Sequence, residues 1–118
     1  MHPVLPSLAA GLLLLAGHTT VQASQVSDGS VVLRMCKGAD KVRSLSVMCH
    51  SYLNGYLDGA RHYARDGKLS FCLGEGDKEK APAALVAWII AHPEVQTQPA
   101  GSVLHKALSE TFPCQRGR

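Results

Sequence analysis

Apolar positions recur along this chain at three- and four-residue steps, and the strict alternation of half-buried strands is scarce. A first helix is predicted over about residues 28–37, where Val31, Val32, Met35 and Cys36 share a face. The polar stretch 38–43 reads as a turn. The longest segment, about residues 44–66, lines up Leu45, Met48, Tyr52, Tyr56, Ala60 and Tyr63. A second stripe on it holds Ser51, Gly55 and Gly59. Each interior glycine costs a helix ~1 kcal/mol relative to alanine, so Gly55 and Gly59 are expected where another helix or a partner packs closely on the backbone. Gly67 suits the left-handed cap that stops this helix. Phe71-Cys72-Leu73 then leads into the flexible loop Gly74-Glu75-Gly76-Asp77.

A third helix is predicted over about residues 78–92, burying Leu85, Val86, Ile89 and Ile90 with Trp88 at the flank. Pro82 is tolerable there only in the first turn, and Pro93 disfavours helical geometry at His92, ending the segment. Glu94, Val95, Gln96, Thr97 and Gln98 form a polar connection. Pro99 opens a fourth helix as a first-turn residue, with Val103, Leu104, Ala107, Leu108 and Phe112 as its apolar stripe and Pro113 closing it before Cys114. The expected fold is all-α, a small bundle of four main helices.

Composition changes the picture at the N-terminus. Residues 4–17 are almost entirely apolar around Leu12-Leu13-Leu14-Leu15, and small residues follow at Val21-Gln22-Ala23. That is the form of a secretory signal peptide, and its apolar run falls short of the ~20 residues of a permanent span. Residues 1–23 are therefore expected to be removed, leaving 24–118 as one domain. Leu15-Ala16-Gly17 precedes His18 and not cysteine, so no lipid anchor is expected. The net charge of +3 lies wholly in the mature part and forms no basic run; with 5 % aromatic residues, nucleic-acid binding has little support.

Cys36, Cys49, Cys72 and Cys114 survive leader removal, and an even number of cysteines in a short exported domain reads as a disulfide framework. If the third and fourth helices form an antiparallel hairpin, Cys72 before the one meets Cys114 after the other. The same reasoning pairs Cys36 with Cys49 across the first turn. In the chain-entropy picture the 72–114 and 36–49 loops contribute roughly 4 and 3 kcal/mol.

No constellation of reactive groups emerges. Cys49-His50 are neighbours, which point in different directions on a helix, and export oxidises the thiol a nucleophile would need. Ser46 stands where a c-type haem attachment sequence ending in Cys49-His50 needs its first cysteine. His62, His92 and His105 lack ligand spacing, and no Cys-x-x-Cys is present. Glu75, Asp77 and Glu79 are explained by the helix dipole at the start of the third helix. No catalytic residue, metal or cofactor is expected, and the chain reads as an exported binding domain.

The string Met48-Cys49-His50-Ser51-Tyr52-Leu53-Asn54-Gly55-Tyr56-Leu57-Asp58-Gly59, followed by Phe71-Cys72-Leu73, Ala91-His92-Pro93-Glu94, Pro99-Ala100 and Phe112-Pro113-Cys114, resembles the Rap/Tai family of immunity proteins associated with bacterial type VI secretion. The likeness covers about residues 32–114; Ser51 and Gly74 stand where relatives commonly carry glycine and proline. It implies a periplasmic helical domain, often a homodimer, that sterically blocks a cognate peptidoglycan amidase effector. A rigid bundle presenting preshaped loops lowers the ordering cost of such binding. Gly74, Glu75, Gly76 and Asp77, and Glu94, Val95, Gln96, Thr97 and Gln98, are the expected contact loops. The competing expectations are a periplasmic acid-stress chaperone of the HdeA kind, triggered through the six histidines, and an orphan family member with another protein partner.

Overall fold

The computed structural model describes residues 2–4, 17 and 26–114; the expected leader, 1–23, and its cleavage site lie almost entirely outside them. Four α-helices follow in order: α1 (Gly29–Lys37), α2 (Arg43–Tyr63), α3 (Asp77–Ala91) and α4 (Ala100–Thr111). Short 3-10 turns occupy Arg65–Gly67 and Pro93–Thr97. The described residues contain no β-strand beyond two isolated antiparallel bridges, Asp28 with Pro99 and Phe71 with Pro113.

α1 is the hub, packing against α2, α3, α4 and the Pro93–Thr97 turn. Its start is set by Asp28, whose carboxylate accepts hydrogen bonds from the N–H groups of Ser30 (3.0 Å) and Val31 (3.2 Å) and from the Ser30 hydroxyl (2.6 Å). Val32, Met35 and Cys36 turn into the core as their spacing predicts, whereas Val31, expected beside them, is only half-buried. Its first residue must be glycine: a Cβ at Gly29 would meet the Val95 carbonyl oxygen at 2.5 Å and Val103 at 3.2 Å. The backbone seals this seam, with Gly29 N–H donating to the Gln98 carbonyl at 3.0 Å and Ala100 N–H to that of Ser27 at 3.2 Å.

Both disulfides pair as geometry suggests. Cys36 joins Cys49 and Cys72 joins Cys114, and no cysteine is free. The first pair is buried in the core, whereas Cys72 is exposed at the far end of the bundle. Beside the second pair, Cys72 N–H donates to the Phe112 carbonyl at 2.8 Å, which ties the segment before α3 to the end of α4.

The expected burial of α4 is found, with Val103, Leu104, Ala107 and Leu108 all in the core. Elsewhere the stripes are shifted. On α2 the buried line is Cys49, Leu53 and Leu57; Tyr52, Tyr56 and Ala60 are its half-buried edge, and Met48 and Tyr63 face outward. The disulfide at Cys49 turns that side toward α1, and Phe71, stacked on Tyr56 at 6.4 Å, covers the later half. On α3 the buried line is Ala81, Pro82, Leu85 and Ile89, while Val86 is half-buried and Ile90 is 56 % exposed.

Two punctuation marks also differ from expectation. α2 ends at Tyr63 with Ala64 extended, and the left-handed residues Asp66 and Gly67 fall in the following turn. Pro82 lies one turn deeper in α3 than expected, removing the N–H that the Lys78 carbonyl would accept. Lys78 is exposed, so water can satisfy that oxygen.

The glycines give opposite expectations. Gly29→Ala should lower stability by about 2 kcal/mol through overpacking, whereas Gly55→Ala, with open space at its Cβ, should raise it by roughly 0.5–1 kcal/mol; denaturant titration of both variants measures this. The Ser30 hydroxyl, then the Val31 N–H, holds the Asp28 carboxyl below its usual 3.8. A depressed pKa adds stability that is full above pH 3.8 and lost as pH falls through the folded-state value. Asp28→Asn should therefore flatten the loss of melting temperature below pH 3.8 that the parent chain shows.

Candidate functional site

Reactive side chains do not converge. All four cysteines are consumed in disulfides, and His50 is exposed while its neighbour Cys49 is buried. Ser70 lies 2.8 Å from the Ser109 hydroxyl and 3.4 Å from His105 Nδ1, but both contacts are exposed. Trp88 donates its indole N–H to Glu110 at 2.7 Å and stacks on His92 at 4.2 Å, pinning the end of α3 to α4. Among the described residues, no three His, Cys, Asp or Glu side chains gather as a metal site would require. Burial pushes the Tyr52 and Tyr56 hydroxyls up in pKa.

The surfaces carry more information. At the 74–77 loop, Gly74 N–H donates to the Asp77 carboxylate at 2.7 Å and Asp77 N–H donates to the Gly74 carbonyl at 3.2 Å. Gly76 supplies the positive φ of 80° that closes the turn. Gly74, Glu75 and Gly76 are exposed and Asp77 half-buried, so this is a small fixed acidic knob.

The 94–98 segment is different in kind. It belongs to a 3-10 turn pressed on α1, with Val95 buried, Gln96 and Gln98 half-buried, and only Glu94 and Thr97 exposed. Its backbone seals the Gly29 seam, so most of it serves the fold. Gly55 and Gly59 have no described neighbour within 4 Å of a built Cβ. Among the described residues nothing packs at those two positions, and Val47, two turns earlier on the same stripe, is 58 % exposed.

One surface that the periodicity did not single out is a groove of about 540 Å³ between the end of α1, its turn and α3. Ala39, Pro82, Ala83, Val86 and Ile90 form apolar walls, and Lys37, Asp40, His50 and Glu79 stand around it. The available signal was in α3: between Ala81 and Ala91 every residue is apolar, so the helix has apolar side chains on all faces. Such a helix reads as fully buried, yet this one has an open side.

Taken together, these observations define a small all-α domain braced by two disulfides, with an acidic loop and an apolar groove at its surface. A family model described as Rap1a immunity proteins matches residues 28–114, so this chain belongs to the Rap1a immunity protein family. Membership implies a cognate effector protein as its partner. No curated protein and no solved structure matches the chain.

The open side of α3 separates two adjacent isoleucines. Ile89→Ala, at a fully buried position, should cost about 2–5 kcal/mol. Ile90→Ser should stay within ~0.5 kcal/mol of the parent, as read by thermal or denaturant unfolding.

Proposed function

We propose that this chain is a periplasmic immunity protein that binds and sterically inhibits a type VI secretion peptidoglycan amidase effector. The observation that carries the reading is the family match over 28–114, which spans all four helices and both disulfides. Physical features support a blocking role. The acidic 74–77 knob and the α1–α3 groove are held on a frame with two covalent bonds, so little ordering entropy opposes association. Disulfides suit the oxidising periplasm, in keeping with the leader expected at 1–23. The open face of α2, with Val47, Met48 and the Gly55–Gly59 stripe, supports pairing of two copies around the inhibited enzyme.

An acid-stress chaperone would need protonation to break the core open. No histidine among the described residues is buried, and the buried set holds no polar or charged side chain, so the histidines have no such lever.

The test is to mix the mature chain with a purified type VI peptidoglycan amidase effector offered as its cognate partner. A 1:1 or 2:2 complex by size-exclusion chromatography, with loss of peptidoglycan cleavage, is the expected outcome. Undiminished cleavage at saturating chain would reject the reading.

A further inference from the structure

Arg34 and Lys37 on α1, and Lys41 in the turn beyond it, line one groove of about 480 Å³ whose apolar wall is Leu33, with Ser30 and Gly38 completing it. All three cations are exposed. The backbone beneath them is rigid. The buried Cys36–Cys49 bond ties α1 to α2, Val42 N–H donates to the Gly38 carbonyl at 2.9 Å, and Leu45 packs where a Cβ on Gly38 would stand.

Helix stability accounts for only part of this charge. The negative end of the α1 dipole favours Arg34 and Lys37 in its last turn. Lys41 lies outside the helix. Arg43 opens α2 at the positive end of that dipole, where no acidic residue offsets it. Four of the chain's twelve cations thus fall within residues 34–43, against the single carboxylate of Asp40.

We infer that this basic groove docks an acidic segment of the effector protein, with an aliphatic side chain against Leu33 and carboxylates on Arg34, Lys37 and Lys41. The inference rests on the immunity reading and locates its contact. The size and make-up of the groove argue for a peptide loop: three cations around an apolar wall match one or two carboxylates beside a hydrophobic residue. The adjoining α1–α3 groove shares Lys37 and adds Asp40 and Glu79 to its lining.

The test has two arms. In the first, the isotope-labelled mature chain is titrated with a blocked Glu-Leu-Asp-Leu-Glu peptide, its lysine-for-acid counterpart, and phosphatidylglycerol vesicles. Amide shifts confined to Ser30–Lys41, seen with the acidic peptide alone and weakened by raising salt from about 20 to about 300 mM, are expected. Shifts elsewhere, equal shifts with the basic peptide, or preference for the vesicles would overturn the inference. In the second arm, the Arg34→Ala/Lys37→Ala/Lys41→Ala variant should inhibit the amidase ~10-fold or more weakly than the parent, its melting curve serving as the fold check. Should the variant fail to fold, the salt dependence of inhibition by the parent decides: a salt-independent affinity refutes the groove. Equal inhibition by variant and parent refutes the groove and leaves the immunity reading standing. If the parent itself leaves cleavage intact, that reading fails, and with it the effector as occupant, whatever the peptide arm reports.

Discussion

The Cys36–Cys49 bond joins the last turn of α1 to the first half of α2 and places both sulfurs in the centre of the apolar core. α1 is only nine residues long, and an isolated helix of that length is marginal in water. It persists because Asp28 caps it, the disulfide anchors it and the rest of the domain surrounds it. The glycine at its first position allows the Pro93–Thr97 turn to lie directly on the backbone, and that contact in turn leads Pro99 into α4. Cys72–Cys114 then clamps the other end of α4, so one disulfide braces the core and the second the far end of the bundle.

That economy has a consequence for the surface. Val32, Met35 and Cys36 point inward on so short a helix, and Arg34 and Lys37 beside them point out. α3 has more apolar side chains than α1 and α4 can cover, and the surplus forms the wall of the α1–α3 groove. α2 is the longest helix and extends past the short α1, so one of its faces stays open at Gly55 and Gly59. Covalent bracing lets a domain of this size leave such surfaces open while staying folded.

Legibility varied with the kind of signal each element carried. α4 was readable because prolines bound it and its apolar residues form one narrow stripe, which leaves a single way to bury them. The pairing of all four cysteines followed from helix geometry, since hairpin ends must meet. On α2 the tyrosines blurred the stripe: an amphipathic ring satisfies the periodicity equally well at the edge of a core, and the buried line proved to be Cys49, Leu53 and Leu57. On α3 the apolar residues surround the helix, so period alone could not distinguish Ile89, fully buried, from Ile90, exposed. The 94–98 connection is polar by composition, and its role against α1 depends on backbone groups that composition does not report.

Local sequence by itself determined the number and approximate bounds of the helices and their all-α character, which rest on spacing, caps and breakers that act over a few residues; the cysteine pairs followed only once the third and fourth helices were taken to lie antiparallel. Only the tertiary structure decided which faces were left uncovered, that residue 29 must be glycine, and that Arg34, Lys37 and Lys41 share one groove with Leu33. The physical reason is that burial belongs to pairs of elements: whether an apolar or charged side chain meets protein or water depends on what the fold brings opposite it.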